Sequence, residues 1–389
     1  MVTGDSSYIK KFNRNIILQR IVEHGSISRA DLSKITGLNK ATISVQVADL
    51  LDSELIYETQ QEHTSVGRRP ILLSLNQKAG YVLGVDLDYK KIQYTISDLL
   101  GNPIMNEDIK FDTDDYHAIL QLLIKQINLY KEKCPDSHYG LVGVVIGIHG
   151  TVNKDDQSVL FVPKYQWHNK DLKNDLLKEI DLPILIENNA NLSTYAERVF
   201  YHHDCNNLLT LIISSGMGAG IMIDGELQRG YHGYAGEMGH MIVVPDGESC
   251  TCGNKGCWEL YSTEPSLFKK IAIHQGQDLS YQKIKQLIKE QDKNTLADIE
   301  QFIKYLSIGI NNIINIFNPE TLVLTSEVLT MYPNAIEKIE MNLHSSVSQY
   351  NKIVLSKFHN RSCVMGACAL AIQTFLEIPK LTLNPPEEK

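Results

Sequence analysis

The stretch that most constrains this chain runs from Gly236 to Glu259, GEMGHMIVVPDGESCTCGNKGCWE. His240 is followed by Cys250, Cys252 and Cys257, the three cysteines crowded into one glycine-containing loop. Three thiolates and one imidazole make a complete tetrahedral set for zinc, with no position left for a reacting water. Gly253 and Gly256 suit a chain that bends round one ion. The four residues are therefore expected to hold a structural Zn2+, fixing a segment too short to be held by packing alone. The alternative is free or disulfide-bonded thiols. It fits poorly with only seven cysteines and a start, MVTGDSSYIKKFNRN, that lacks the apolar core of a signal peptide. Two carboxylates, Glu237 and Glu259, bracket the stretch. Glu237 and His240 can point into one cavity, and the second ring nitrogen of a metal-bound histidine needs a polar partner. A sugar hydroxyl would serve.

With 389 residues the chain has room for two or three domains, and 43% hydrophobic with 21% charged residues excludes wholesale disorder. No apolar run approaches the roughly 20 residues that span a bilayer. A cytoplasmic protein with no membrane partner is expected. The net charge of −9 looks wrong for a nucleic-acid binder, but it is unevenly spread. Residues 1–80 hold ten Lys and Arg against eight Asp and Glu, a net of +2, while the remainder holds 27 against 38, a net of −11. That asymmetry suggests a small basic module on an acidic body.

Within those eighty residues, apolar positions 16, 17, 18, 21 and 22 predict a buried helix over Asn13 to His24, ended by Gly25. Ser28 caps a second helix, with Asp31 three residues on and Leu32 and Ile35 facing inward. Gly37 gives the turn, and Asn39 caps a third helix whose apolar stripe is Ile43, Val47, Leu50 and Leu51. This is a helix-turn-helix pattern, the third helix entering the major groove N-terminus first. Asn39, Thr42, Ser44 and Gln46 suit base edges, and Lys40 and Arg29 suit phosphates. GRRPILLSLN (67–76) then reads as a wing or a linker, with Arg68 and Arg69 at its base. A three-helix protein-interaction module is the plainer reading.

Further on, strands are expected at Tyr81–Asp86, Ile92–Asp98, Leu141–Ile148, Pro183–Glu187, Leu208–Ile213 and Thr321–Leu324. Helices are expected from about Tyr116 to Lys131 and over most of Pro265 to Phe317, and the tail PPEEK reads as disordered. Alternating strands and helices with polar loops at strand ends indicate α/β layers and ligands at those ends.

The run CTCGNKGCWELYSTE together with GEMGH resembles the signature of the ROK family (repressors, open reading frames and sugar kinases). SRADLSKITGLNKATIS and the following GRRP resemble the winged-helix domain of ROK repressors, which free-standing ROK kinases lack. The resemblance implies an α/β fold: a winged helix-turn-helix over 1–78, then a two-lobed actin/hexokinase-like body over 79–389. The first lobe would take about 79–186 plus a C-terminal helix, and the second about 187–370. Sugar would lie between the lobes, its hydroxyls held by Asn188, Glu237, His240 and Glu259 with Asn189 beside them. The plainer reading of ENNAN (187–191) is that it caps the following helix. Residues 28–48 and 250–264 are most similar to repressors of xylose operons. That implies a homodimer on palindromic operator DNA, released by xylose or a related sugar. Another sugar, a protein partner, or an active sugar kinase with a DNA-binding extension are the alternatives.

Against the kinase stand three departures from the family pattern. Asn189 replaces the Asp that serves as general base, and an amide cannot act as one near neutral pH. DLDYKK (86–91) places Asp88, Tyr89 and Lys90 where a glycine-rich phosphate turn is expected. Thr325-Ser326-Glu327 replaces the adenine-side Gly-Gly, and only SSGMGAG (214–220) keeps its glycines. No catalytic residue is assigned. His149, where family members often have Pro, and Gln166 stand as candidates for tuning the choice of sugar.

Overall fold

The computed structural model describes residues 6–60, 71–276 and 279–386. In the N-terminal part, α1 (Ser6–His24), β1 (Ile27–Ser28), α2 (Arg29–Thr36), α3 (Lys40–Asp52), β2 (Ile56–Gln60) and β3 (Ile71–Leu75) follow one another. The strands form an antiparallel sheet in the order β1-β3-β2. Ser28 caps α2 through the Asp31 N–H and Asn39 caps α3 through the Thr42 N–H. Ile17, Leu18, Ile21, Leu32, Ile43, Val47 and Leu50 close the small core. Two expectations need correction. Helix α1 starts at Ser6, about two turns before the expected Asn13, and carries an exposed Tyr8, Ile9 and Phe12. Ile35 is 44% exposed, because α2 is only eight residues long and buries Leu32 alone.

The next elements are β4 (Tyr81–Asp88), β5 (Lys91–Asp98), β6 (Pro103–Lys110), α4 (Tyr116–Lys133) and β7 (Leu141–Ile148). After them come β8 (Thr151–Val152), β9 (Val159–Val162), β10 (Trp167–Lys170), α5 (Leu172–Leu177) and β11 (Ile184–Asn188). One five-stranded sheet has the order β11-β7-β4-β5-β6, with β11, β7 and β4 parallel and the last pairs antiparallel. The three parallel strands are almost continuously apolar, as expected of strands covered on both faces. Helix α4 covers one face.

Helix α6 (Asn189–Phe200) leads to β12 (Leu208–Ile213), β13 (Met217–Ile223), β14 (Glu226–Leu227), α7 (Glu259–Ser262), α8 (Glu264–Gln275), α9 (Tyr281–Lys289) and α10 (Lys293–Phe317). The chain ends through β15 (Thr321–Thr325), α11 (Glu327–Met331), α12 (Ala335–Glu340), β16 (Lys352–Leu355) and α13 (Ser362–Leu376). The second five-stranded sheet has the order β14-β13-β12-β15-β16. Helix α13 packs on β4 and β7 of the first sheet, α6 packs on β12 and β13 of the second, and the two helices pack on each other. The body is thus two sheets with a helix pair between them. Leu381 and Leu383 of the tail are buried, and the last three residues of PPEEK lie outside the described residues. The N-terminal core continues into this layer through Phe375 and Leu376 of α13, and the Tyr139 hydroxyl donates to the Ser53 carbonyl at 2.8 Å. Among the described residues no helix is long and apolar enough to cross a membrane.

Candidate functional site

The loop after β14 brings His240, Cys250, Cys252 and Cys257 together, with one ligand atom of each lying within 4.8 Å of all the others. Cys250 Sγ is 3.7 Å from His240 Nδ1, and Cys252 Sγ is 3.6 Å from Cys257 Sγ. A tetrahedron with metal–sulfur bonds near 2.3 Å has edges of about 3.5–3.8 Å. The donor set therefore fits a single tetrahedral ion, and all three sulfurs are free thiols. The backbone is built for it. Gly256 has φ of 76°, and a Cβ there would overlap the Val244 carbonyl, so no other residue lets the loop close.

Two carboxylates flank the imidazole. Glu259 Oε1 lies 3.5 Å from Nδ1 and 3.3 Å from Cys250 Sγ, and Glu237 Oε2 lies 3.9 Å from Nε2. Trp258, between Cys257 and Glu259, is fully buried and donates its indole N–H to the Tyr305 carbonyl of α10 at 3.0 Å. Its ring fits against Gly309, where any Cβ would enter the indole. Gly309→Ala is therefore expected to displace Trp258 and with it Cys257 and Glu259. The expected cost is about 2 kcal/mol of stability, as for other overpacked cores. Metal retention should weaken too, and chelator competition alongside thermal denaturation measures both.

The second group of residues stands at the carboxyl ends of β4, β7 and β11, where open parallel sheets place their ligands. Asn188 uses its amide oxygen to cap α6, accepting from the Ala190 and Asn191 N–H groups, and donates to the Gly150 carbonyl at 2.9 Å. The plainer reading of ENNAN thus holds for Asn188, which keeps one N–H for a ligand. Asn189 Nδ2 lies 3.4 Å from His149 Nδ1. His149 in turn stands between Asp86, 2.9 Å from Nε2, and Asp88, 3.3 Å from Nδ1. Burial disfavours charge on this imidazole, but Asp88 and Asp86 outweigh it and raise its pKa to about 9. The two groups meet through β13. Gly218 and Gly220 lie against Ala190 and Thr194 of α6, and Gly236 and Gly239 lie against the Ala219 and Met217 carbonyls.

The same packing accounts for the glycines that SSGMGAG (214–220) retains. Only Ser214 to Gly216 turn; Met217 to Gly220 are strand, and a Cβ on Gly220 would overlap the Ala190 carbonyl and Thr194 Oγ1. Its glycines there serve helix–strand contact. The turn after β4 offers no phosphate cradle. Asp88 takes the Tyr89 N–H at 2.7 Å, and the Tyr165 hydroxyl takes the Lys90 N–H at 3.0 Å while donating to the Asp88 carbonyl at 2.8 Å. At the third kinase position, the Ser326 hydroxyl and the Val328 N–H both donate to the buried carboxylate of Glu264. Gln166, stationed in the turn before β10, donates to the Pro163 carbonyl at 2.6 Å.

In the N-terminal part, Lys40 and Ser44 are exposed, Thr42 is half-buried, and Asn39 is exposed with its carbonyl engaged as the cap. Gln46 was misplaced. It is 3% exposed, because the buried stripe of α3 is Ile43, Gln46, Val47 and Leu50, and the outward face is Ala41, Ser44, Val45 and Ala48. Val45, 55% exposed on that face, was missed; its spacing of one from Ser44 was the available signal. Arg29 is not a free cation, since its guanidinium pairs with Glu58 of β2 at 2.5 Å. Arg68 and Arg69 lie outside the described residues. Sequence reading also missed Arg229, which forms a two-nitrogen ion pair with Glu187, both at 2.7 Å.

The model of the ROK family matches residues 82–374. The xylose repressor of Bacillus spizizenii is 35% identical over 98% of this chain and 100% of its own, and that of Bacillus subtilis is 34% identical over 97% and 99%. Among solved structures, a ROK family transcriptional regulator, homolog of the E. coli MLC protein, aligns with a TM-score of 0.80 at 27% identity, over 95% of this chain and 97% of that one. A ROK family glucokinase from Streptomyces griseus, in complex with glucose and AMPPNP, aligns with a TM-score of 0.67 at 23% identity, over 76% of this chain and 100% of that one.

Proposed function

Since the chain belongs to the ROK family, we propose that it is a sugar-responsive, DNA-binding transcriptional repressor with xylose as its effector. The observation that carries this is coverage. Similarity to xylose repressors extends over 98% of the chain, whereas the whole of a ROK glucokinase corresponds to only 76% of it. Residues 1–78 are assigned to DNA. Helix α3 would enter the major groove N-terminus first, with Ser44, Thr42 and the apolar Val45 at base edges and Lys40 at phosphate. A homodimer would set two such helices on a palindromic operator.

Residues 79–389 are assigned to the sugar. The 3.9 Å between His240 Nε2 and Glu237 exceeds a hydrogen bond, and a sugar hydroxyl between them would satisfy both. Glu259, Asn188 and Asn189 supply the remaining polar groups. Zinc is the ion that three thiolates and an imidazole suit, and in a closed tetrahedral site it ties the loop together. Sugar would close the lobes and alter the placement of the DNA-binding part. By linkage, operator DNA must weaken sugar binding by the same factor.

The body is read as a sensor rather than an enzyme. Asn189 lacks a basic atom, and the N–H groups of the turn after β4 are already bonded to Asp88 and Tyr165. Asn189→Asp is accordingly expected to restore no ATP-dependent phosphorylation of xylose or glucose. Coupled-enzyme assay checks it, and turnover above about 0.01 per second would count against the sensor reading. For the function as a whole, fluorescent DNA from upstream of xylose-utilisation genes is bound to full-length, zinc-loaded protein and followed by anisotropy. Saturable release by xylose, indifferent to ATP, is expected. DNA binding that xylose leaves unchanged would overturn the effector.

A further inference from the structure

We propose that His149 is the specificity-determining residue that makes the sugar site answer to a pentose and not to the corresponding hexose. The inference rests on the sugar reading above. Glucopyranose is xylopyranose with one addition, a hydroxymethyl group on C5. In a hexose kinase that group carries the reacting hydroxyl, which must lie within about 3 Å of the general base. The residue at the base position here is Asn189, at the first turn of α6. A hexose seated in this site would therefore project its hydroxymethyl group at Asn189.

That space is taken. The His149 ring stands 3.4 Å from the Asn189 amide, at the end of β7 and beside the start of α6. It cannot swing aside without losing partners, because Asp86 holds Nε2 at 2.9 Å and Asp88 holds Nδ1 at 3.3 Å. Asp86 is 5% exposed, so rotation of the ring would leave a buried carboxylate without its cation. With both ring nitrogens committed to carboxylates, the edge left for a ligand is carbon, which cannot hydrogen-bond the hydroxyl on C6. A pentose leaves nothing to collide with it. The hexose would meet a fixed ring and lose a hydroxyl's hydrogen bonds together.

The test uses the full-length, zinc-loaded protein, with xylose and glucose as probes. Calorimetry gives the two dissociation constants, and anisotropy gives release of bound operator DNA by each sugar. The variants are His149→Ala, which opens the space, and His149→Asn, which opens it while keeping an N–H for Asp86 should the alanine variant not fold. The ratio of xylose to glucose response is expected to fall by about 10- to 100-fold, the range a pocket achieves with one small group. Glucose should become an effector while xylose still acts. Wild-type protein that answers to xylose, with variants that keep its preference, would overturn the role of His149 alone. Wild-type protein indifferent to xylose would overturn the sugar reading and this inference with it.

Discussion

Cys252→Ser is expected to empty the metal site and abolish the sugar response while leaving DNA binding intact. Cys252 is the one exposed thiol of the four-residue cluster, so serine in its place disturbs almost no packing. What it removes is one corner of the tetrahedron, and structural zinc sites contribute on the order of 10 kcal/mol to ordering small segments. The loop does not fall apart evenly. Glu259 keeps an anchor in Trp258, whose indole stays bonded to α10 at 3.0 Å. The His240 ring has a different setting: among the described residues its polar neighbours are Cys250, Glu237 and Glu259, all in the loop itself, so its orientation depends on the metal. Xylose affinity should therefore fall by at least about 100-fold, roughly two charge-assisted hydrogen bonds. DNA affinity without sugar should hold, because the α1–α3 core shares no residue with the loop. Metal content by atomic emission, xylose calorimetry and DNA anisotropy on one preparation separate the three effects. Metal-free protein that binds xylose as wild type does would show that the cluster is not coupled to the sugar.

That the cluster could be read from sequence follows from its being local: four ligands within eighteen residues leave little choice of geometry. Caps were legible for the same reason, since Ser28 and Asn39 act on N–H groups three residues on. The misread features depend on partners far along the chain or on a single helical step. Gln46 was assigned to DNA because it is polar, but a rotation of about 100° per residue places it with Ile43 and Leu50, and side-chain chemistry did not override position. The glycines of SSGMGAG are a weak signal because glycine reads alike whether it frees a turn or admits a helix; only the approach of α6 decides. The Tyr165 hydroxyl closes a turn that lies 75 residues before it, and no periodicity announces such a contact. His149 was singled out, yet its meaning came from Asp86, Asp88 and Asn189 meeting it across three strand ends.

Arg229 is the residue whose loss should do most damage outside the metal loop. It follows β14 of the second sheet, and its partner Glu187 lies on β11 of the first, so the pair joins the two halves of the body. Glu187 has more to hold than one cation. Its other oxygen accepts from the Asn188 N–H and the Asn191 amide, both at 2.9 Å, and so sets the first turn of α6 that carries Asn188 and Asn189. Arg229 also fixes the beginning of the segment that runs on to Glu237. Arg229→Ala would leave a carboxylate that is 10% exposed without its counter-charge. Breaking such a pair costs about 3 kcal/mol, the low end of the range because the arginine itself is partly solvated. The asymmetry of the pair gives the control. Arg229→Met with Glu187→Gln removes both charges together and should recover most of the stability, since no buried charge is then left without its partner. It should not recover xylose binding, because the two-nitrogen contact ties the chain leading to Glu237 to the strand that carries Asn188. Thermal denaturation and xylose calorimetry on the single and double variants are the measurements. A single variant as stable as wild type would show that the two sheets are held by α6 and α13 alone, and a double variant with wild-type affinity would show that the pair plays no part in aligning the sugar site.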